Sequence, residues 1–344
     1  MSETMKRWEI PAYGVDKLAL NTVARPTPKA GEILVEVEAV SLNYRDLVVA
    51  ADGMGSDLNF PFTPASDMTG RVVALGEGVT RFSVGDKVIS TYIANWVDGA
   101  PLSWADSPTQ GGPIPGMLAE YVATPAEWCV LAPKSMTPEE ASTLPVAALT
   151  AWMALIEEGN LHAGQTVVVQ GTGGVSLFAI QIAAANGARV IVTTTSDSKI
   201  ARAKELGATH GINRNTHPDW QNEVRRLTDG RGAEHILEMA GGDNLGLSLQ
   251  AVAPGGRISI IGLLESDSVT LPIMPMLGSR VSIVAIAVGP RRVLEDLIRA
   301  VDVRGLKPVI DASYSFSEVK EAFAHLKRGA FGKIVVKVRE ACMN

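Results

Sequence analysis

Cysteine is nearly missing from this chain. Its 344 residues carry two, Cys129 and Cys342, and neither has another cysteine or a histidine at the spacing of a metal-ligand pair. No disulfide framework and no zinc knuckle can be read from such a sequence. Long apolar runs are absent too. The greasiest stretch, Leu144 to Ile156, is too short to span a bilayer and has Pro145 as its second residue. The opening MSETMKRWEI lacks the apolar core of a secretory signal, so a cytoplasmic location is expected. Basic residues are outnumbered, 31 Lys and Arg against 37 Asp and Glu for a net charge of −6, and they are scattered. That excludes a basic stripe able to follow a nucleic-acid backbone. Internal repeats and low-complexity tracts are likewise missing.

What remains is the composition of a globular enzyme, 46% apolar and 20% charged, at a length that suits two domains. The most informative segment is Thr166 to Val175, TVVVQGTGGV, an apolar strand running into glycines and then into an apolar helix. Gly171 permits a tight turn, and Gly173 lets the backbone approach a pyrophosphate seated at the positive end of the helix dipole. Thr172, Gly174 and Val175 complete the loop. The third position of the G-x-G-x-x-G fingerprint falls on Ser176, an imperfect match. Context strengthens it, because Ser176 to Asn186 reads as a helix and Arg189 to Thr194 as a second buried strand, giving a βαβ unit.

Ahead of this unit, Glu32 to Val40, Thr69 to Leu75, Lys87 to Thr91 and Leu118 to Val122 read as short strands between Gly/Pro turns. Behind it, strand-like runs at His235 to Glu238, Ile258 to Ile261 and Ser282 to Ile286 alternate with helical stretches, as in a doubly wound parallel sheet. The expected class is α/β. A β-rich domain covers residues 1–125, with 290–344 returning to it through Lys333 to Val338, and a dinucleotide-binding domain covers 126–289.

The order of SLNYRDL (41–47), RFSVGDKVI (81–89), ASTLPVAALTAWMAL (141–155), GTGGVS, AKELGA (203–208), PGGRISIIG (254–262) and GAFGKIVV (329–336) resembles the medium-chain dehydrogenase/reductase superfamily along nearly the whole chain. The likeness is nearest to its zinc-free, quinone-oxidoreductase-like branch. It implies a GroES-like domain with the substrate site, a Rossmann domain, and a nicotinamide in the cleft between them. It also implies that Asn43, Ser66 and Val146 stand where zinc-dependent members carry Cys, His and Cys. None of these is a thiolate or an imidazole, and Tyr92 to Gly116, where relatives hold a second zinc with four cysteines, has none, so no zinc is expected. The five histidines read as surface or packing residues.

Without a Lewis acid, reducing an isolated ketone leaves a localised alkoxide, whereas a conjugated acceptor spreads the charge so that a few hydrogen-bond donors suffice. The expected activity is therefore NADPH-dependent reduction of a quinone or an α,β-unsaturated carbonyl compound. Two alternatives stay open: a zinc-independent alcohol or ketone dehydrogenase, and a non-catalytic NADPH-binding sensor or structural protein. Candidate catalytic residues are Asn43, Tyr44 and Arg45; Tyr44 either donates its phenolic proton or packs as a wall. Asp46 reads as a structural partner. The resemblance places Thr150 near the nicotinamide, unless its hydroxyl bonds its own helix, and adds Gly241, Gly262, Leu263 and Lys333 to the cofactor site. At the end of the second strand the resemblance aligns neutral Thr194 with the acid of NAD-specific sites. Ser196, Lys199 and Arg214 follow within reach of a 2′-phosphate, which favours NADPH over NADH; Arg214 also reads as an ordinary loop charge. Ala51 to Phe62 and Trp96 to Trp104 are expected to border the substrate. Leu277 to Gly289, with Arg280 as its single charge, suits an exposed sheet edge that a second copy would cover, giving a homodimer.

Overall fold

The structure, a computed structural model, describes residues 3–103, 106–262, 266 and 268–339. Trp104, Leu263 and Cys342 lie outside the described residues. In chain order the strands are β1 Thr4–Glu9, β2 Ala19–Ala24, β3 Glu32–Leu42, β4 Asp67–Leu75, β5 Lys87–Ser90, β6 Tyr121–Pro125, β7 Cys129–Leu131, β8 Thr166–Gln170, β9 Arg189–Thr194, β10 His210–Asn213, β11 Ala233–Glu238, β12 Val252–Ile260, β13 Ser282–Ala285, β14 Ile310–Ser315 and β15 Lys333–Lys337.

Two compact units share them. One comprises residues up to Leu149 together with those from Val288 onward, and the other is Thr150–Ala287. The division falls later than the expected 125/126 because the intervening residues serve the β-rich unit. β7 extends its sheet by pairing with β5, Ile89 opposite Val130, and the backbone N–H of Val146 donates to Asp67 in β4. The stretch that carries the division is one helical run, with π-helical turns at Leu144–Ala148 and Met153–Glu157 around the α-helical Leu149–Trp152.

In the β-rich unit the sheet order is β14-β15-β3-β4-β5-β7, with β6 also on β3. β3 is its spine because alternating Ile33, Val35 and Val37 are buried while Glu32, Glu36 and Glu38 are not fully covered. β15 lies antiparallel on the end of β3, Ile334 opposite Leu42, so a segment from the far end of the sequence closes the sheet. The inward faces join Phe62, Met68 and Phe323 in one core.

The other unit is a parallel sheet ordered β10-β9-β8-β11-β12-β13. Its central strand β8 is buried at every residue, the pattern of a β-branched run covered on both faces. The order reverses between β8 and β11, and the crevice at such a reversal is where doubly wound sheets bind their ligands. β13 stands at the sheet edge. Among the described residues no helix is long and apolar enough to cross a membrane.

Candidate active site

β8 ends at Gln170 and the chain turns through Gly171, whose φ of +73° an L side chain rarely adopts. A Cβ added at Gly173 would meet nothing within 4 Å, leaving an open cradle over the helix Gly174–Ala185. The first N–H groups of that helix lack intrahelical acceptors and are free to bind an anion. Ser176 explains the imperfect fingerprint. Its side chain is buried and its Oγ donates to the Gln170 carbonyl at 2.8 Å, pinning the helix to the strand it follows. These residues fit a dinucleotide pyrophosphate.

Across the reversal, β11 ends on Glu238, a carboxylate with 0% exposure. Sequence reasoning passed over it. The signal was there, since a charged residue closing an otherwise inward-facing strand is rarely buried without partners. Its Oε2 accepts from Gln170 Nε2 at 2.8 Å and from Ser248 Oγ, and its Oε1 accepts from the backbone N–H groups of Ala240 at 3.0 Å and Gly241 at 3.1 Å. Asn244 Nδ2 reaches both oxygens, at 2.8 and 3.0 Å. Gln170 Oε1 in turn accepts from Met239 N and Asn244 Nδ2. One buried network therefore sets both the residue before the glycine turn and the loop after β11. Gly262 joins the same loop, because a Cβ there would lie 2.0 Å from the Met239 carbonyl oxygen.

Thr194 ends β9 buried, and its carbonyl accepts from the Arg214 N–H at 2.7 Å. Ser196 caps the helix Asp197–Glu205. Asp197 is turned to Asn213, whose Nδ2 donates to it at 2.8 Å. Arg214 Nε is buried and unpartnered among the described residues, a cationic donor awaiting an acceptor beside Thr194. Thr150 is buried in Leu149–Trp152.

In the β-rich unit, β3 delivers Asn43 to the start of the helix Tyr44–Asp52. Its backbone N–H donates to Asp46 Oδ2 at 2.8 Å, closing the first turn. Its side chain turns inward: Nδ2 donates to Ser66 Oγ at 3.3 Å and Asp67 Oδ2 at 2.9 Å, while Oδ1 accepts from Lys333 Nζ. Both amide hydrogens are thus committed, and the expected donation from Asn43 to a substrate has no hydrogen left to make it. Ser66 Oγ donates to Asp67 Oδ1 at 2.8 Å, and Lys333 Nζ also donates to the Leu42 carbonyl at 2.8 Å. Lys333, expected at the cofactor, is part of this cluster. Burial pushes the Asp46 carboxyl up to about 6, raises Asp67, and lowers Lys333. Ala65, just before Ser66, is held at φ +71°, a left-handed conformation that costs a non-glycine residue roughly 1–3 kcal/mol.

The cluster does not suit zinc. Its oxygen and amide donors are hard, an ammonium stands among them, and no group of three or more His, Cys, Asp or Glu gathers among the described residues.

Arg45 points elsewhere. Its guanidinium donates to Thr109 Oγ1 at 3.2 Å and to the carbonyls of Gln110, Gly111 and Gly112, and lies 4.9 Å from the Tyr92 ring centroid. Beside it opens a cavity of about 220 Å³ lined by Arg45, Met54, Ser56, Tyr92, Thr109 and Pro113. Residues from the 51–62 segment and from 107–113 line it, and Trp96 is buried with Nε1 donating to the Gly99 carbonyl. Tyr44 is 55% exposed, and its phenol makes no hydrogen bond among the described residues.

Comparison with known proteins agrees with this architecture. Residues 29–134 match the model of the alcohol dehydrogenase GroES-like domain, and residues 174–303 that of the zinc-binding dehydrogenases. A zinc-type alcohol dehydrogenase-like protein of Schizosaccharomyces pombe is 38% identical over 90% of this chain and 91% of its own length. A quinone oxidoreductase-like protein 2 homolog of Nematostella vectensis is 30% identical over 98% of this chain and 93% of its own. The crystal structure of a candidate alcohol dehydrogenase from Sinorhizobium meliloti 1021 superposes with a TM-score of 0.94 at 54% identity, covering 98% of this chain and 99% of that one.

Proposed function

Because the chain belongs to the medium-chain dehydrogenase/reductase superfamily of NAD(P)-dependent oxidoreductases, we propose that it uses NADPH to reduce a quinone or an α,β-unsaturated carbonyl compound without zinc. The observation that carries this reading is the cluster of Asn43, Ser66 and Asp67 closed by the Lys333 ammonium. It offers no thiolate or imidazole to a metal, so an acceptor that delocalises its own negative charge is favoured.

Bound NADPH supplies a hydride. The residues that would hold it are the Gly171–Val175 turn for the pyrophosphate and Thr194, Ser196, Lys199 and Arg214 for the 2′-phosphate; the unpartnered Arg214 Nε supports the last assignment. When an enone takes hydride at its β-carbon, the electron pair of the double bond moves to the carbonyl oxygen. The chain must then supply a hydrogen bond and finally a proton. Tyr44 has an uncommitted phenol for that task, unlike Asn43.

A second reading is zinc-independent oxidation of a simple alcohol; the Schizosaccharomyces pombe relative, named a zinc-type alcohol dehydrogenase-like protein, supports the alcohol part of it alone. A screen of NADPH and NADH oxidation with quinones, enones and ketones, run beside cofactor reduction with alcohols and with metal analysis of the purified protein, separates the two. Enone or quinone turnover without bound metal, reduced in Tyr44→Phe, is the expected result. Alcohol-driven cofactor reduction would establish the second reading, and cofactor binding with no turnover would identify a sensor or structural binder.

A further inference from the structure

We propose that the cavity beside Arg45 in the β-rich unit binds a carboxylate, carried either by the acceptor itself or by a separate small organic acid. Only the first of these sources rests on the enone or quinone reading above. Among the described residues that line the cavity, Arg45 is the only charged one; Met54, Ser56, Tyr92, Ser107 and Thr109 are neutral. Its side chain is 11% exposed, so a full positive charge stands in a space mostly withdrawn from water.

The protein neutralises that charge incompletely. Among the described residues its acidic partner is Asp46, whose Oδ1 lies 3.5 Å from Nη1 and whose Oδ2 is taken by the Asn43 N–H. The other acceptors are neutral and no closer: Thr109 Oγ1 and the Gly112 carbonyl at 3.2 Å, the Gln110 carbonyl at 3.3 Å and that of Gly111 at 3.4 Å. Charge-assisted bonds normally run at about 2.7–2.9 Å. Nε has no acceptor among the described residues. Packing rather than short bonds holds the group, with the Tyr92 ring centroid 4.9 Å from the guanidinium carbon. An anion entering the cavity supplies the counter-charge that the chain leaves out.

The surroundings suit a single negative charge. One cation lines the cavity, and the further donors there are hydroxyls. Ser56 commits only its backbone, its carbonyl accepting from Tyr13 and its N–H donating to Gly53, so its hydroxyl is free among the described residues. The two oxygens of a carboxylate match one charged and one hydroxyl donor, whereas a phosphate dianion wants a second cation. Met54, next to these, holds a left-handed φ of +51°, the kind of backbone strain that collects where a loop is shaped around a ligand.

Calorimetric titration of the full-length protein with levulinate, and with its methyl ester as the uncharged match, tests the site. Saturating oxidised cofactor keeps the dinucleotide's own anion sites filled. Levulinate is expected to bind tighter than the ester by about tenfold or more, the worth of a charge-assisted hydrogen bond. Ser56→Asp places a carboxylate of the chain's own in the cavity and should weaken levulinate by a similar factor without weakening the ester. Arg45→Gln should abolish the difference between the two ligands; if it fails to fold, the wild-type and Ser56→Asp comparisons still decide. Equal affinity for levulinate and its ester, a response matched by chloride at the same ionic strength, or unaltered levulinate affinity in Ser56→Asp overturns the proposal. NADPH oxidation with acetylacrylate, an enone bearing a carboxylate, and with its methyl ester then names the source. A KM raised in Ser56→Asp for the acid alone assigns the carboxylate to the acceptor, and unchanged KM values beside weakened levulinate binding assign it to a separate acid. Turnover of neither, with levulinate still bound, removes the enone reading and leaves the site standing.

Discussion

Replacing Glu238 by its isostere glutamine tests the network at the β8/β11 reversal more sharply than truncation does. Every neighbour of the carboxylate is a donor: Gln170 Nε2, Ser248 Oγ, Asn244 Nδ2 and the N–H groups of Ala240 and Gly241. A glutamine must point its NH2 at one side of that ring. Directed toward Ala240 and Gly241, it opposes two fixed backbone donors. Directed toward Ser248, it lets the hydroxyl rotate to accept but leaves Gln170 Nε2 without its carboxylate. In the second, cheaper arrangement one or two bonds to a charged acceptor are lost at about 1.5–3 kcal/mol each, so the expected destabilisation is about 2–5 kcal/mol. Against a total of ~5–15 kcal/mol that is a large fraction. Urea unfolding, followed by tryptophan fluorescence because Trp220 Nε1 donates to Asn244 in this network, reads it directly. The same variant should weaken dinucleotide affinity, since Gln170 precedes the glycine turn. A loss under about 0.5 kcal/mol, the size of an ordinary surface substitution, would refute the reasoning.

Gly173→Val fills the open cradle above the helix start and should abolish NADPH binding in a folded protein; unchanged affinity by calorimetry would misplace the pyrophosphate. Arg214→Ala should narrow the preference for NADPH over NADH by about 1.5–3 kcal/mol, the worth of a charged hydrogen bond, and equal wild-type affinities would remove its premise. Burial pushes His235 down to about 4, so the folded state holds it neutral while the unfolded chain, near 6.5, takes up a proton. Stability should therefore be undiminished above pH 6.5 and fall by as much as about 3 kcal/mol as pH drops to 4. His235→Gln should flatten that part of the urea-midpoint profile. β13 is an edge strand, and we propose that a second copy pairs with it; a light-scattering mass of one chain at micromolar concentration would rule that out, while Val284→Lys should split the dimer.

The glycine turn was legible because a strand-to-helix junction is written in ten consecutive residues, and β8, its helix and β9 follow by local pattern. Ser176 looked like a defect, since a serine–carbonyl bond across six residues is invisible to a fingerprint. The fate of Asn43 was not legible at all. Its amide is consumed by Ser66, Asp67 and Lys333, and the last of these is 290 residues away through a strand register that no local pattern specifies. The unit boundary was misplaced for a similar reason. β7 is a three-residue strand whose membership in the sheet depends on finding β5.

The closure of β3 by β15 also sets an order of assembly. Thr150–Ala287 is one uninterrupted stretch, able to collapse on itself as soon as it leaves the ribosome. The β-rich unit has no such freedom: its first part must wait, with the 43–67 carboxylates already made, for a strand synthesised nearly at the end of the chain. Closing so long a loop is slow, and until Lys333 arrives the Asn43 carbonyl lacks the donor that faces it in the finished fold. A nascent or truncated chain without β15 thus carries Thr150–Ala287 whole but an unclosed β-rich sheet. Such fragments would be substrates for chaperones and proteases before they were ever catalysts.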